Sequence, residues 1–417
     1  MHSFTLLFLL FLLASVTVRL WLSQRQLNHI RLHRNKVPEE FADKIRLEDH
    51  QKAADYSCTK LRVGRISLAW ETVWLLFWTL GGGLNALDLW WADHQLAALI
   101  NGIAVIASLV ILTSIIDLPF SLYHTFVVEQ RYGFNQTNWK TWFLDLLKTA
   151  LLMLILGLPL IATILWIMNQ AGQYWWFYAW LVWTTFSLLM IWAWPVFIAP
   201  LFNKFSALED ASLKSRIDNL LQRCGFHSEG VYVIDGSRRS AHGNAYFTGF
   251  GKNKRIVFYD TLLETLSEAE VEAVLAHELG HFKRHHIKKS LLISLVITLF
   301  GFALLAWLME SDWFYTAMGV EVASTHTALL LFVLTMPVFT YFVSPLFSAL
   351  SRKHEFEADE FAKSNSDYRA LISALVNMYR DNASTLTPDP VHSMFYDSHP
   401  PASIRIEHLK SVAGEAG

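Results

Sequence analysis

The chain has 417 residues, of which 53 % are hydrophobic and only 17 % are charged, and its formal net charge is −2. Soluble domains carry about 25 % charged residues, so this composition argues against an ordinary soluble protein and favours a polytopic membrane protein. The near-neutral charge does not indicate nucleic-acid binding. The two cysteines, Cys58 and Cys224, make a disulfide framework implausible.

Seven apolar stretches follow one another along the chain, and each is about 20 residues long, enough to span a hydrocarbon core of about 30 Å. The first stretch has no Lys or Arg before Arg19 and is followed by a basic cluster, which favours a membrane anchor over a signal peptide. The predicted spans are residues 4–22, 67–90, 96–118, 149–167, 174–198, 290–309 and 327–346.

The distribution of positive charge predicts the topology. Loops 92–95, 169–173 and 310–324 contain no Lys or Arg, so all 34 of these residues fall on the opposite face or at its membrane edge. By the positive-inside rule, the amino terminus is outside, and residues 200–289 and 349–417 share the cytoplasmic face.

A metal-binding pattern lies in the first of these cytoplasmic regions. Ser267 and Glu270 form a capping-box pattern that predicts a helix start, and good helix formers lead into His277-Glu-Leu-Gly-His281. Residues four apart on a helix differ by about 40° around its axis, so His277 and His281 can meet one ion. Glu278 lies beside them, where it can reach a metal-bound water. Imidazole and carboxylate ligands with an open position are typical of catalytic zinc.

The third ligand is predicted in the second cytoplasmic region. Glu355 and Asp359 are four residues apart and share a helix face, whereas Glu357 points away from Glu355. We expect Glu355 to bind the ion and Asp359 to accept a hydrogen bond from a ligand imidazole. His354 is the main rival ligand, and a solvated charged helix is the alternative for the whole run.

At these residues the sequence resembles the type I CAAX prenyl endopeptidases, a family of seven-span zinc metallopeptidases, and the resemblance covers nearly the whole chain. It includes the two metal motifs, and Arg405 follows His399 by six residues as in the family's carboxy-terminal motif. The other matching segments are residues 126–135, 197–203, 244–249 and 398–401.

The resemblance implies His277, His281 and Glu355 as zinc ligands and Glu278 as the catalytic acid and base. It implies that His399 and Arg405 face the reacting carbonyl. It also implies a substrate-binding strand, of which Asn244, Ala245 and Tyr246 are the predicted contacts. His285 and His286 lie off the metal face and are predicted to be interfacial or supporting groups rather than ligands. The family encloses a water-filled chamber, which Asn85, Asn101 and Thr113 would line unless they bond between helices.

The predicted fold is therefore an all-α polytopic membrane protein of seven helices enclosing a chamber, with a cytoplasmic zinc-peptidase region carrying a small β edge element. Residues 1–66 hold the first span and a cytoplasmic amphipathic segment, and residues 67–199 hold spans two to five. Residues 200–289 hold the metal helix, residues 290–348 spans six and seven, and residues 349–417 the third ligand.

We expect an endopeptidase that uses one Zn²⁺ per chain and Glu278 as general base on a peptide or protein substrate, possibly lipidated. Removal of carboxy-terminal residues from CAAX-type proteins and quality-control cleavage of membrane or secreted proteins are both open. A metal-binding transporter or scaffold is the alternative from another class. The carboxy terminus carries no dilysine-type signal, which favours a bacterial member in the plasma membrane. We expect membrane lipids and no nucleic acid as further partners.

Overall fold

The computed structural model describes residues 2–250 and 253–414 and is predominantly helical. The ends of the predicted units 1–66 and 349–417 lie partly outside the described residues. The amino-terminal half consists of six helices in sequence. They are α1 (Ser3–His33), α2 (Leu47–Trp78), α3 (Gly83–Ala92), α4 (Ala98–Tyr132), α5 (Trp139–Gln170) and α6 (Gly172–Phe202).

The carboxy-terminal half contains a small β-sheet and further helices. Its strands are β1 (Phe205–Ala207), β2 (Gly230–Ile234), β3 (Ala245–Phe250) and β4 (Asn253–Tyr259). Its helices are α7 (Ala211–Cys224), α8 (Asp260–Thr265), α9 (Glu268–Lys283), α10 (His286–Met309), α11 (Asp312–Ala317), α12 (Thr325–Asn365), α13 (Tyr368–Asp381), α14 (Pro390–Tyr396) and α15 (Ala402–Gly414).

Six of the seven predicted spans lie in helices that are long and apolar enough to cross a membrane, namely α1, α4, α5, α6, α10 and α12. The remaining stretch, residues 67–90, is divided between α2 and α3. Three consecutive glycines, residues 81–83, follow the end of α2, and Gly82, which caps the start of α3, adopts a positive φ of 75°. The polytopic helical fold is confirmed, with a turn inside the second predicted span.

The small β element is a four-stranded sheet in the order β1-β2-β4-β3. β2 and β4 are parallel, while β1 and β3 flank them in antiparallel pairing. One face of this sheet packs with α7, α9 and α13 around a core that includes Ile217, Ile256 and Leu275. The sheet therefore holds α9 in place and leaves β3 at an edge.

The start of α9 is the predicted capping box. The Ser267 hydroxyl accepts the Glu270 N–H at 3.4 Å, and the Glu270 carboxylate accepts the Ser267 N–H at 2.8 Å. α9 is buried on nearly all sides, as the core positions Leu275 and Leu279 show. A helix enclosed in this way offers a fixed platform for the two histidines near its end.

α9 and α12 approach closely at Gly280. A Cβ atom at this position would lie 2.8 Å from the Ala358 Cα and 3.0 Å from the Ala358 carbonyl oxygen. Because backbone atoms cannot move aside as a flexible side chain can, only glycine fits without separating the helices. Gly280 lies between His277 and His281 in α9, and Ala358 lies close to Glu355 in α12, so this contact sets the distance between the two histidines and the glutamate.

We expect Gly280→Ala to lower the free energy of unfolding by about 1–3 kcal/mol, because the added methyl group overpacks the contact with Ala358. It should also weaken metal binding by moving Glu355 away from the two histidines. The thermal midpoint and the Zn²⁺ affinity of the detergent-solubilised protein measure the two effects.

Gly301→Ala is the matched control, since a Cβ atom there meets only the Phe332 ring, at 4.0 Å. Alanine is favoured over glycine inside helices, so this variant should be as stable as the parent. Equal behaviour of the two variants would contradict the proposed steric constraint.

Candidate metal centre

Three side chains from α9 and α12 converge on one point. The Nε2 atoms of His277 and His281 are 3.2 Å apart. His277 Nε2 lies 3.4 Å from Glu355 Oε2, and His281 Nε2 lies 3.4 Å from Glu355 Oε1. His277 and Glu355 are buried and His281 is half-buried. The structure thus brings together the three predicted metal ligands, while His354, the predicted rival, lies outside the group.

The geometry of this group fits a tetrahedral metal ion. Donor atoms about 2.0–2.2 Å from such an ion are about 3.3 Å from one another, which matches the observed separations. The Glu355 Oε2 atom is buried and forms no hydrogen bond among the described residues, although His277 Nε2 and Arg405 Nη1 lie 3.4 and 3.5 Å from it. A cation between Glu355 and the histidines would satisfy this buried oxygen at short range. Three protein ligands also leave one coordination position open for substrate or water.

A carboxylate and a guanidinium lie behind His277. The Asp359 Oδ1 atom is 2.8 Å from His277 Nδ1, so the imidazole presents Nε2 to the metal position. Asp359 also accepts two hydrogen bonds from Arg405, at 2.6 and 2.8 Å. The Arg405 Nη1 atom is 3.5 Å from Glu355 Oε2. Arg405 is buried, so it contacts the ligands from behind rather than from the solvent side.

Electrostatics at His277 favour a positive charge. Burial and the charge of Arg405 lower the pKa of His277, but hydrogen bonds to Asp359 and Glu355 outweigh them and raise it above its ordinary value. The two carboxylates therefore stabilise a cation at this imidazole, whether that cation is a proton or a metal.

His281 has a supporting chain of its own, which the sequence reasoning recognised only in part. Its Nδ1 atom is 3.1 Å from His286 Nδ1, and His286 Nε2 is 2.9 Å from a carboxylate oxygen of Glu357. The His354 ring stacks on His286 at 4.0 Å. Glu357 indeed points away from Glu355, yet it acts on the same centre through His286. Its helical position predicted the separation but could not show what lay opposite.

Glu278 and His399 occupy the more accessible side of the centre. Glu278 is half-buried and forms no hydrogen bond or ion pair within the described part of the chain, so its carboxylate is free to act on a substrate or water. The His399 Nε2 atom lies 3.4 Å from Glu355 Oε1, and the His399 side chain is 63 % exposed. An exposed imidazole at this distance can reach a molecule bound at the open coordination position.

The predicted substrate strand is β3, at the edge of the sheet. The Tyr259 N–H donates to the Asn244 carbonyl at 2.9 Å, so the main chain of Asn244 points towards β4. In an antiparallel pair the next residue points the other way, and Ala245 therefore directs its main-chain groups to the open edge. Tyr246 faces β4 again, so of the three predicted residues only Ala245 offers its main chain to a partner strand.

A polar link that sequence reasoning did not identify holds the start of this strand. Asn382 accepts the Gly243 N–H at 3.1 Å, and its Oδ1 atom is 3.2 Å from His242 Nδ1. On its other side the His242 Nε2 atom is 3.4 Å from Glu129, and the His242 ring stacks on Phe134 at 4.2 Å. The segment 126–135, noted above only as a matching motif, thus anchors β3.

Comparisons with known proteins agree with this site. Residues 26–204 match the family model described as CAAX prenyl protease N-terminal, five membrane helices, and residues 207–413 match peptidase family M48. Among curated relatives, the CAAX prenyl protease 1 homolog of Arabidopsis thaliana is 34 % identical, over 97 % of this chain and 96 % of its own length. CAAX prenyl protease 1 of Saccharomyces cerevisiae is 31 % identical, over 97 % and 94 %. The crystal structure of S. mikatae Ste24p superposes with a TM-score of 0.91 at 30 % identity, covering 98 % of this chain and 99 % of that one.

These matches define an integral, multi-pass membrane metalloprotease. The chain belongs to peptidase family M48 and, within it, groups with the CAAX prenyl protease 1 relatives along nearly its whole length. The family resemblance seen in the sequence is confirmed.

We expect His286→Ala to weaken metal binding about 10- to 100-fold, because it removes the group that orients the His281 imidazole. Glu357→Gln should have a smaller effect in the same direction. Competition between the purified protein and a chromophoric chelator, titrated with Zn²⁺, measures the affinity.

Glu360→Gln serves as the control, since it neutralises an exposed carboxylate on the same helix as Glu357, and the Glu360 side chain lies 3.8 Å from His408. An unchanged affinity in His286→Ala would show that the chain behind His281 does not support the ligand.

Proposed function

We propose that this protein is a zinc-dependent endopeptidase that removes carboxy-terminal residues from lipidated CAAX-type proteins. The observation that carries the proposal is the convergence of the donor atoms of His277, His281 and Glu355 on one point, with the carboxylate of Glu278 on the residue that follows His277. Imidazole and carboxylate donors with an open position favour zinc. One ion per chain follows from one such group among the described residues.

A zinc ion held by His277, His281 and Glu355 would supply Lewis acidity and lower the pKa of a bound water towards neutrality. Glu278 then removes a proton from the attacking water and delivers it to the leaving amine. His399, exposed beside Glu355, is placed to donate a hydrogen bond to the carbonyl oxygen as negative charge develops on it.

In this proposal Arg405 does not contact the reacting carbonyl directly. Its guanidinium is engaged by Asp359 and lies close to Glu355, so it positions the ligand carboxylate and balances the charge of the buried acids. Asp359 in turn fixes the His277 imidazole. The two residues act through the ligands, which makes them positioning residues.

The open edge of β3 supports binding of an extended substrate. A peptide added alongside Ala245 would gain main-chain hydrogen bonds with little demand on its sequence. Such tolerance is compatible with quality-control cleavage as well as with CAAX processing. The names of the relatives favour the CAAX substrate, and nearly complete coverage of those relatives supports the transfer.

We infer the membrane side of the site from the distribution of charge. The absence of Lys and Arg from the three predicted outer loops supports an external amino terminus and a cytoplasmic metal centre. A bacterial plasma membrane stays a prediction from the carboxy terminus, and the relatives named above come from a plant and a yeast.

We expect Glu278→Gln to retain Zn²⁺ and to lose peptide cleavage by at least about 10²- to 10⁴-fold, because the amide cannot accept the proton of the attacking water. Metal content by mass spectrometry and hydrolysis of a fluorogenic peptide in detergent measure the two properties.

Glu264→Gln, an exposed residue on α8, is the control and should match the parent in both assays. Residual cleavage by Glu278→Gln at a sizeable fraction of the parent rate would reject the assigned role. Loss of zinc from that variant would instead make Glu278 a ligand.

Lipid dependence tests the substrate. We expect a farnesylated peptide with a CAAX terminus to have a higher kcat/KM than the same peptide without the lipid, because the prenyl chain adds apolar surface that the membrane-embedded enzyme can bind. Equal values for the two peptides, together with efficient cleavage of unrelated unfolded proteins, would favour the quality-control function.

A further inference from the structure

A cavity of about 700 Å³ lies between α1, α2, the start of the cytoplasmic part of α12, and α14. This volume is in the range of small-ligand sites. Its charge is unbalanced, since four basic residues line it against one carboxylate, Glu71, which accepts a hydrogen bond from Ser67. The basic residues are Arg19, Lys60, Arg65 and His392.

Among the residues that the structure describes, these basic groups form no ion pair with an acidic side chain. The Arg19 guanidinium lies over the Tyr341 ring at 4.5 Å and makes no hydrogen bond within the described part of the chain. Arg65 donates to Ser23 and Gln24, but its Nη2 atom is buried without a partner. Arg19 lies within a membrane-spanning helix, where an unpaired cation is costly and marks a functional site by default.

Lys60 shows the same imbalance. Its side chain is exposed along part of its length, and its ammonium lies over the Tyr56 ring, 4.1 Å from the ring centroid. Desolvation lowers the pKa of Lys60, and the charge of Glu129 opposes that shift only in part. An anion in the cavity would stabilise all three cations at once.

The cavity is joined to the metal centre by α14. His392 and Tyr396, both on this helix, form part of the wall, and the Tyr396 hydroxyl lies 2.9 Å from that of Tyr341. His399 is the third residue after Tyr396, so their Cα atoms are at most about 11 Å apart. His399 in turn contacts the metal ligand Glu355.

This upper bound is compatible with the length of the part of a CAAX substrate that lies beyond the cleaved bond. Three residues follow the cysteine of a CAAX sequence, and in extended form they span at most about 10 Å. A peptide whose cysteine carbonyl sits at the metal centre would therefore carry its terminal carboxylate about as far as the cavity.

We propose that this cationic cavity binds the free carboxylate at the end of the substrate and thereby sets the cleavage position by its distance from the carboxy terminus. The proposal rests on the CAAX function given above. Guanidinium groups suit this ligand because they bind carboxylates with strong, directional hydrogen bonds. The preference would be for a free carboxy terminus rather than for a particular sequence.

A pair of peptides tests the proposal, namely a farnesylated CAAX peptide with a free carboxylate and the same peptide ending in a carboxamide. We expect the parent enzyme to show a kcat/KM about tenfold or more higher for the acid, the usual effect of hydrogen bonds to a charged group. Arg19→Gln and Arg65→Gln, singly and together, should bring the ratio towards one, because they lower the rate for the acid more than the rate for the amide.

Arg62→Gln is the matched control, because Arg62 lies on the same helix as Arg65, is exposed and does not line the cavity. It should keep the parent ratio. A misfolded variant would lose cleavage of both peptides, so the amide rate separates folding from recognition. Equal rates for acid and amide in the parent, or a ratio unaltered in the double variant, overturn the proposal.

A competition assay separates this proposal from the CAAX function. The free tripeptide acid and its amide are compared as inhibitors of cleavage of an internal reporter peptide, which needs no lipidated substrate. Stronger inhibition by the acid, lost in the double variant, supports the cavity even if farnesylated peptides are poor substrates. Anionic phospholipid that copurifies with the parent and not with the double variant, without acid–amide discrimination, assigns the cavity to a lipid headgroup and refutes the proposal.

Discussion

The close contact of Gly280 with the Ala358 backbone is the constraint on which the site depends. It brings α9 and α12 near enough for histidines on one helix and a carboxylate on the other to share one ion. Each helix is fixed separately, α9 by its capping box and the sheet behind it, α12 by its continuity with a membrane span. The metal centre therefore lies where the core around the sheet meets the membrane-spanning helices, and it needs residues from both parts.

Much of this arrangement follows from local rules of helix geometry that can be applied to the sequence directly. The capping box at Ser267, the four-residue spacing of His277 and His281, and the shared face of Glu355 and Asp359 all depend on helix geometry, which is nearly independent of context. Apolar length predicted the spans for the same reason. The turn after α2 was missed because a run of apolar residues conceals the three glycines within it.

The remaining features depend on contacts between distant segments, which periodicity does not encode. Glu357 was correctly placed away from Glu355, yet only the fold reveals His286 between Glu357 and His281. Likewise, Arg405 resembled a substrate-facing group until its pairing with buried Asp359 was seen. Which of Asn244, Ala245 and Tyr246 faces the open edge depends on strand register, and no single-strand pattern determines that.

The contacts that hold α14 in place limit how the chain can be divided into independently folding units. Asp389, at the start of α14, is buried and accepts hydrogen bonds from Arg25 Nε and Nη2, and its N–H donates to the Gln26 side chain, so α14 is held against the first helix of the chain. The boundary between the two family models, near residue 205, therefore separates sequences and not cooperative units. A peptidase half made without α1 would lose these partners of Asp389, and with them the contacts that hold α14 in the segment leading to His399.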